Sequence, residues 1–570
     1  MSLNTRRSQA DSDVDYIINA LQRANFNGGA QGISSNLLYY LPRIRRMSKL
    51  ENLVESVLES KLWSTALNGN FSILQEMTEA IFSWKLEISE PAISISEFYE
   101  VWDVAIKRCQ TWTIAQLAIL CGALCTKSKF ESLQSKFFLD DGGLVAQKYI
   151  MWKERIFIPV WRQLFVKSLD HPEEAEQLAI FLTRIFEPND LKRVPADPLT
   201  NVLMKLSLSY VRNPQVSTPT VSKSLSHIAK TLEVVLPIVG PQLVTQALDL
   251  ICVICFELSQ KELLAPQANY SSQVHSNQLL TTILIFRGCI SRGRVPLQWY
   301  RQVAISLFYL NYIVQDFGKV GFDSYEYIYD VCATGIMQDF AQYSGYLEVM
   351  RGNIWDSQIN NAVNSSRILY LLNFMESTLT QIKVTPAFLE NFIVPVLSHF
   401  GKSSNTAICE AAYAAHLSLY SNHFSGRALQ VWKTSHCRDF LNVSTTQYLN
   451  GILSSTQLVH IYCAIAEELP TLRQINNDIS REVMQFTYLR VVNSGGESPQ
   501  VVATLIQCLI KQLPHIGEQY LVDWLENCVE LIRLCPSERD RILDSIWAEV
   551  TSAGISNRGL TWFLNMQSKL

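Results

Sequence analysis

Gln519-Tyr520-Leu521-Val522-Asp523-Trp524-Leu525-Glu526-Asn527-Cys528-Val529-Glu530-Leu531-Ile532-Arg533-Leu534 decides the fold. Leu521, Leu525, Cys528, Val529 and Ile532 recur near the helical period and make a one-sided apolar stripe, the pattern of an amphipathic helix. Outward from it, the same spacing fills 17–21, 50–58, 117–124, 225–236, 303–313, 368–379, 411–420 and 458–469. Sustained period-two alternation, which would mark half-buried strands, is rare. Short breaks separate the stripes: Glu187-Pro188-Asn189-Asp190, Asn213-Pro214, 266–277, 401–405 and 493–499. Ordinary helix lengths then give roughly twenty or more elements. The expected fold is all-α, an extended and irregular helical-repeat solenoid of the HEAT or armadillo sort, since no fixed-period repeat signature is kept.

The expected organisation is a flexible leader over 1–13, a helical region over 14–190 and a proline-rich joint over 191–220. A second helical region covers 221–566, and a tail covers 567–570. Five prolines between Pro188 and Pro219 suggest the joint.

The 570 residues carry 48 Lys plus Arg against 52 Asp plus Glu, a net charge of -4 that argues against wholesale phosphate binding, so no nucleic-acid partner is expected. Apolar residues make up 48% and charged ones 18%, enough to bury a large core and too apolar for a disordered chain. Mean hydropathy is +0.08, yet the runs near Ile158 and over 243–258 are broken by Arg162, Gln246, Asp249 and Glu257, so no membrane-spanning segment is expected. Residues 1–12 are polar and read as no secretory signal. Thirteen scattered cysteines suit buried thiols in a chain made in a reducing compartment.

Motifs that carry chemistry fail one by one. Gly401-Lys402-Ser403 has Val396 where a phosphate loop needs glycine. Asp11, Asp13 and Asp15 have the spacing of a calcium loop, but Tyr16 and Gln22 replace its glycine and its bidentate Glu. Cys252-x-x-Cys255 lacks a second pair and sits in an apolar run, which favours core packing. His416, His423, His436 and Cys437 are loosely strewn and suit surface or capping roles. No catalytic, cofactor or metal site is expected, and the chain reads as a non-enzyme. Arg43-Ile44-Arg45-Arg46 with Lys49 could meet acidic lipid or an acidic partner, with a solvated helix end as the plainer reading.

The chain ends Gln567-Ser568-Lys569-Leu570. Ser568, Lys569 and Leu570 at an uncapped C-terminus form a receptor-read peroxisomal address, in which the carboxylate is itself part of the ligand. A motif-poor helical stack behind such a tail reads as an interaction scaffold. The alternatives are a matrix enzyme on a helical fold and a cytosolic scaffold with a fortuitous tail.

Three further segments bring a resemblance. Trp84-Lys85-Leu86-Glu87-Ile88-Ser89-Glu90-Pro91 is followed by Phe98-Tyr99 and Trp102. Val320-Gly321-Phe322-Asp323-Ser324-Tyr325-Glu326-Tyr327-Ile328-Tyr329-Asp330 lies in mid-chain, and Tyr39-Tyr40-x-Pro42-Arg43 near the start. With the terminal Ser568-Lys569-Leu570, their order and spacing resemble the fungal peroxisomal biogenesis factor 8 family, intraperoxisomal peroxins of matrix-protein import. The resemblance implies a peripheral protein on the luminal (matrix) face of the peroxisomal membrane. It also implies bridging of the docking and RING-finger subcomplexes, binding to the import receptor for Ser-Lys-Leu signals, and help in cargo release. It supplies no catalytic residue.

Overall fold

The computed structural model describes residues 3–23, 29–67, 69–137, 142–264, 272–317, 323–552 and 557–567. Among them every regular element is helical. The chain divides into two units, one comprising 1–258, 268–299 and 321–328, the other 259–267, 300–320 and 329–570.

In the first unit one row of helices passes from neighbour to neighbour: Ser72–Glu87, Ile114–Cys125, Pro172–Ile185, Pro219–Val235 and Ser272–Ile290. A second row beside it runs Leu3–Arg23, Met47–Glu59, Ile95–Arg108 and Gly142–Met151. In the second unit the row is Ala362–Leu379, Thr406–Tyr420, Ser455–Leu472, Pro499–Ile510 and Arg539–Val550. Hairpin partners such as Gly426–Leu449 and Ile479–Asn493 lie alongside that row. A helix that meets its sequence neighbour and the next-but-one helix is the packing of an α-hairpin repeat. Each unit is thus a helical-repeat stack of the HEAT or armadillo kind, with loops of unequal length in place of a fixed period.

Local chemistry explains the boundaries. Ser94 opens Ile95–Arg108 with a capping box, its hydroxyl accepting from the Glu97 amide at 3.1 Å while Glu97 accepts from the Ser94 amide at 2.8 Å. Thr113 with Gln116 and Ser454 with Gln457 repeat the device. Proline acts as an opener at Pro172, Pro219 and Pro499, where the missing N–H costs nothing. Residues 191–220, expected as a joint, hold the helix Ala196–Arg212 and lie wholly in the first unit. Pro159 and Pro395 fall inside longer helical runs instead, as does Pro470 near the end of Ser455–Leu472. Before Pro159 the turn widens over Trp152–Phe157, and before Pro395 over Leu389–Ile393. The amides of Ile158 and Val394 then reach five residues back, to the carbonyls of Lys153 and Leu389. The wider turn makes room for the ring and lets the helix continue.

Helix Pro241–Leu264 departs from the sequence expectation, being long and apolar enough to cross a bilayer by length and composition. The charged interruptions Asp249 and Glu257 are exposed. Within the first unit Val244, Leu248, Ile251 and Cys255 are buried at helical spacing. Glu257 pairs with Arg212 at 2.7 Å, and Thr245 accepts from the indole of Trp299 at 3.0 Å.

Candidate functional site

Ser568, Lys569 and Leu570 lie outside the described residues, as do 320–322 of the mid-chain segment. The other segments read from the sequence can be placed. Tyr39 and Tyr40 close helix Gly29–Tyr40, and a single tight turn, Leu41–Arg43, follows with Leu41 and Pro42 buried. That anchor leaves Arg43 at the surface, where its Nη1 donates to the Tyr39 carbonyl at 2.8 Å. Its guanidinium carbon lies 5.0 Å from the Tyr39 ring centre and 5.2 Å from that of Trp84. Trp84 is 40% exposed and Tyr39 57%, so the cluster faces outward. Tyr40 turns the other way and donates to Asp13 at 2.7 Å; that carboxylate and partial burial push its phenol up to about 12. Lys49 pairs with Asp15. Asp13 and Asp15, two of the acids that mimic a calcium loop, are thus hydrogen-bond and ion-pair partners, and the basic cluster is one stacked arginine with Arg45 and Arg46 exposed beside it.

Behind Trp84 the segment turns into core. Phe82, Phe98, Tyr99, Trp102 and Trp152 meet within 6.4 Å between ring centres, with Tyr99 stacked on Trp152 at 5.8 Å. Their polar atoms are largely matched: Tyr99 and Tyr149 share a hydrogen bond of 2.6 Å, and Tyr149 meets Thr126 at 2.8 Å. Asp103 accepts from the Trp152 indole at 2.9 Å and from Lys107 at 2.6 Å. Burial alone would raise its carboxyl, but those hydrogen bonds and the charges of Lys148 and Lys107 hold it below its usual range. Lys85 is buried, donates to the Ile93 carbonyl at 2.6 Å and lies 5.3 Å from the Phe98 ring centre; burial lowers it to about 8. In the second unit Tyr329 bonds Ser377 at 3.1 Å and packs on Tyr370 and Phe374.

The loosely strewn histidines separate. His423 meets Glu468 at 3.4 Å, while His416 and His436 line one cavity with Tyr413, Trp432 and Phe440. The cavity lies among helices Val394–Phe400, Thr406–Tyr420 and Gly426–Leu449. Trp432, His436 and Phe440 stand four apart on one helix face, a spacing visible in the sequence that a search for metal ligands passes over. Cys255 is buried and Cys252 half-buried on helix Pro241–Leu264, and none of the cysteines forms a disulfide. Among the described residues no His, Cys, Asp and Glu group has the makings of a metal site.

A family model described as the PEX8 C-terminal domain matches residues 431–565. Peroxisomal biogenesis factor 8 of Saccharomyces cerevisiae (strain ATCC 204508 / S288c) is 28% identical over 97% of this chain and 98% of its own length. Its namesake in Pichia angusta is 21% identical over 94% of this chain and 90% of its own. The chain is similar to peroxisomal biogenesis factor 8 over nearly its whole length. Among solved structures, the karyopherin Kap121p bound to the extreme C-terminus of the protein phosphatase Cdc14p is similar at 10% identity with a TM-score of 0.42; the match spans all of this chain and 55% of that one. That similarity supports a peroxisomal protein with a role in peroxisome biogenesis. The aromatic segments that carried the resemblance are, in this chain, mostly core: Phe98, Tyr99 and Trp102 hold helices together, and Tyr39, Arg43 and Trp84 are the part that reaches solvent.

Proposed function

We infer that this protein acts as a peripheral scaffold on the luminal face of the peroxisomal membrane. It would bridge the docking and RING-finger subcomplexes of the import machinery. Ser568-Lys569-Leu570 would engage the receptor for such signals and help it to release cargo. The observation that carries this reading is a match to two peroxisomal biogenesis factors over nearly the whole of each chain, joined to that terminal tripeptide. Stacked α-hairpins support it physically, since each repeat offers surface to partners and none needs a deep pocket. A short tail held near a receptor at high local concentration can compete with cargo without tight intrinsic affinity.

Protease protection and alkaline extraction of an N-terminally tagged full-length chain in isolated peroxisomes test the placement. Luminal and peripheral attachment gives a tag protected until detergent is added and a protein released by alkali. Digestion without detergent would contradict the luminal side. Retention in the alkaline pellet would contradict the peripheral mode.

A further inference from the structure

The arginine stacked on Tyr39 and Trp84 stands in a basic patch that the helical core does not use. Leu41, Pro42 and Ile44 are buried, and these anchors turn Arg43, Arg45 and Arg46 outward on one short stretch of chain. Lys49 is paired with Asp15, but among the described residues no carboxylate forms an ion pair with Arg43 or Arg45. Arg43 spends one Nη1 proton on the Tyr39 carbonyl, and the two rings hold its planar fork in one orientation. Its remaining N–H groups can meet an anionic oxygen.

Apolar groups share that surface. Ile73 is exposed about three turns before Trp84, on the same face of helix Ser72–Glu87. The exposed acids of that helix are offset, Glu76 by Lys223 at 2.9 Å and Glu87 by Lys129 at 2.5 Å. Exposed Trp and Tyr rings beside unpaired arginines are the makings of a bilayer interface, where the rings lie at headgroup level and the cations meet phosphates. An acidic peptide would answer the arginines alone, whereas a lipid surface covers the cations and the apolar row from Ile73 to Trp84 together. The whole chain has a net charge of -4, so attraction to an anionic surface must come from such a local patch. We propose that Arg43, Arg45 and Arg46, with Tyr39, Trp84 and Ile73, form the face by which this protein lies on an anionic lipid bilayer. The proposal rests on the reading above of a peripheral membrane protein and names what holds it there.

The test is co-sedimentation of the purified full-length chain with vesicles of phosphatidylcholine alone and of phosphatidylcholine with phosphatidylserine. Binding to the mixed vesicles only, weakened by salt, is the expected result. Each arginine near an anionic surface contributes about fivefold to partitioning, so the charge reversal Arg45→Glu should lower it about twentyfold. Arg45 is exposed, and the thermal melt of that variant should match wild type. Brominated phosphatidylcholine in the mixed vesicles should quench the tryptophan emission of wild type more than that of Trp84→Phe. No binding to the mixed vesicles, undiminished binding by Arg45→Glu, or equal quenching in Trp84→Phe would overturn the proposal. So would a capped Glu-Asp-Glu-Asp-Glu peptide that bound the patch where the vesicles did not, which would make it a protein-docking surface. A chain that misses the vesicles yet is protected and alkali-released in peroxisomes would be held by its protein partners: this proposal would fall and the functional reading would stand.

Discussion

The guanidinium of Arg43 lies over the indole of Trp84, 5.2 Å from the ring centre, although the two residues belong to different helical repeats. The stack joins the start of the chain to the end of helix Ser72–Glu87 and leaves an aromatic-basic patch on the surface. An exposed cation–π contact stabilises by about 0.5–1 kcal/mol. A double-mutant cycle of Arg43→Ala and Trp84→Ala, read by urea unfolding, should give a coupling of about that size. A coupling of zero would make the stack incidental.

Helix Ile114–Cys125 approaches Ser72–Glu87 so closely that a Cβ on Gly122 would stand 2.3 Å from the Gln75 carbonyl oxygen and 2.8 Å from the Thr78 Cβ. Both neighbours are close to fixed backbone, so nothing flexible can give way. Gly122→Ala should destabilise by about 1–3 kcal/mol, despite alanine's better helix propensity. Gly143→Ala, with nothing within 4 Å, is the control and should be neutral or slightly stabilising. Thermal melts of the two variants separate the cases.

Lys85 supplies a pH signature. Its folded pKa, about 8, is below the ordinary value of 10.5, because burial opposes the charge and Glu97 only partly offsets it. Between those two values the unfolded chain binds more protons than the folded one, so stability rises with pH through that window. Measured as the difference between wild type and Lys85→Met, the stability of the wild type should climb from about pH 8 to about pH 10.5. A flat difference would mean the ammonium is solvated. Near neutral pH the methionine variant should be as stable as wild type or more so, since an apolar isostere avoids the desolvation.

Lys433 is fully buried and donates to the carbonyls of Tyr420 and Asn422 and to Glu468 at 3.3 Å, tying the turn after helix Thr406–Tyr420 to helix Ser455–Leu472. Removing one partner of such a pair strands the other charge. Glu468→Ala should cost about 3 kcal/mol or more, and Lys433→Met distinctly less. Equal losses in denaturant titrations would indicate that packing of the lysine stem, not its charge, is what matters.

The fold was legible because the helical period survives in almost every segment. In the opening stripe Leu521, Leu525, Cys528 and Ile532 are buried as read, although Val529 is only half-buried and Leu531 takes its place. That helix also ends at Leu531, with tight turns before and after it, a boundary the apolar spacing does not encode. The prolines of 188–219 suggest a joint by their number alone, and sequence does not show where each falls in a helical turn; helix Ala196–Arg212 lies among them. Tyr39-Tyr40-x-Pro42-Arg43 and Trp84 were separate words in the sequence; only packing brings them together. The cavity was missed for the same reason, since Val394, Tyr413 and Trp432 come from three helices and a buried imidazole without a partner has no sequence signature.

Ser568-Lys569-Leu570 should be separable from the helical body. A chain lacking 568–570 is expected to lose most of its affinity for the receptor's tail groove, read by calorimetry with the purified receptor, while keeping its helical circular dichroism and thermal melt. Undiminished receptor affinity would remove the tail from the mechanism.

The most direct measurement is affinity purification of the full-length chain, carrying an internal tag that leaves the terminal carboxylate free, from detergent-solubilised peroxisomal membranes. Recovery of both the docking and the RING-finger subcomplexes on one column, persisting when 568–570 are deleted, is the predicted result. Recovery of neither subcomplex, or loss of both with the tripeptide alone, would contradict a bridging role for the stacked hairpins.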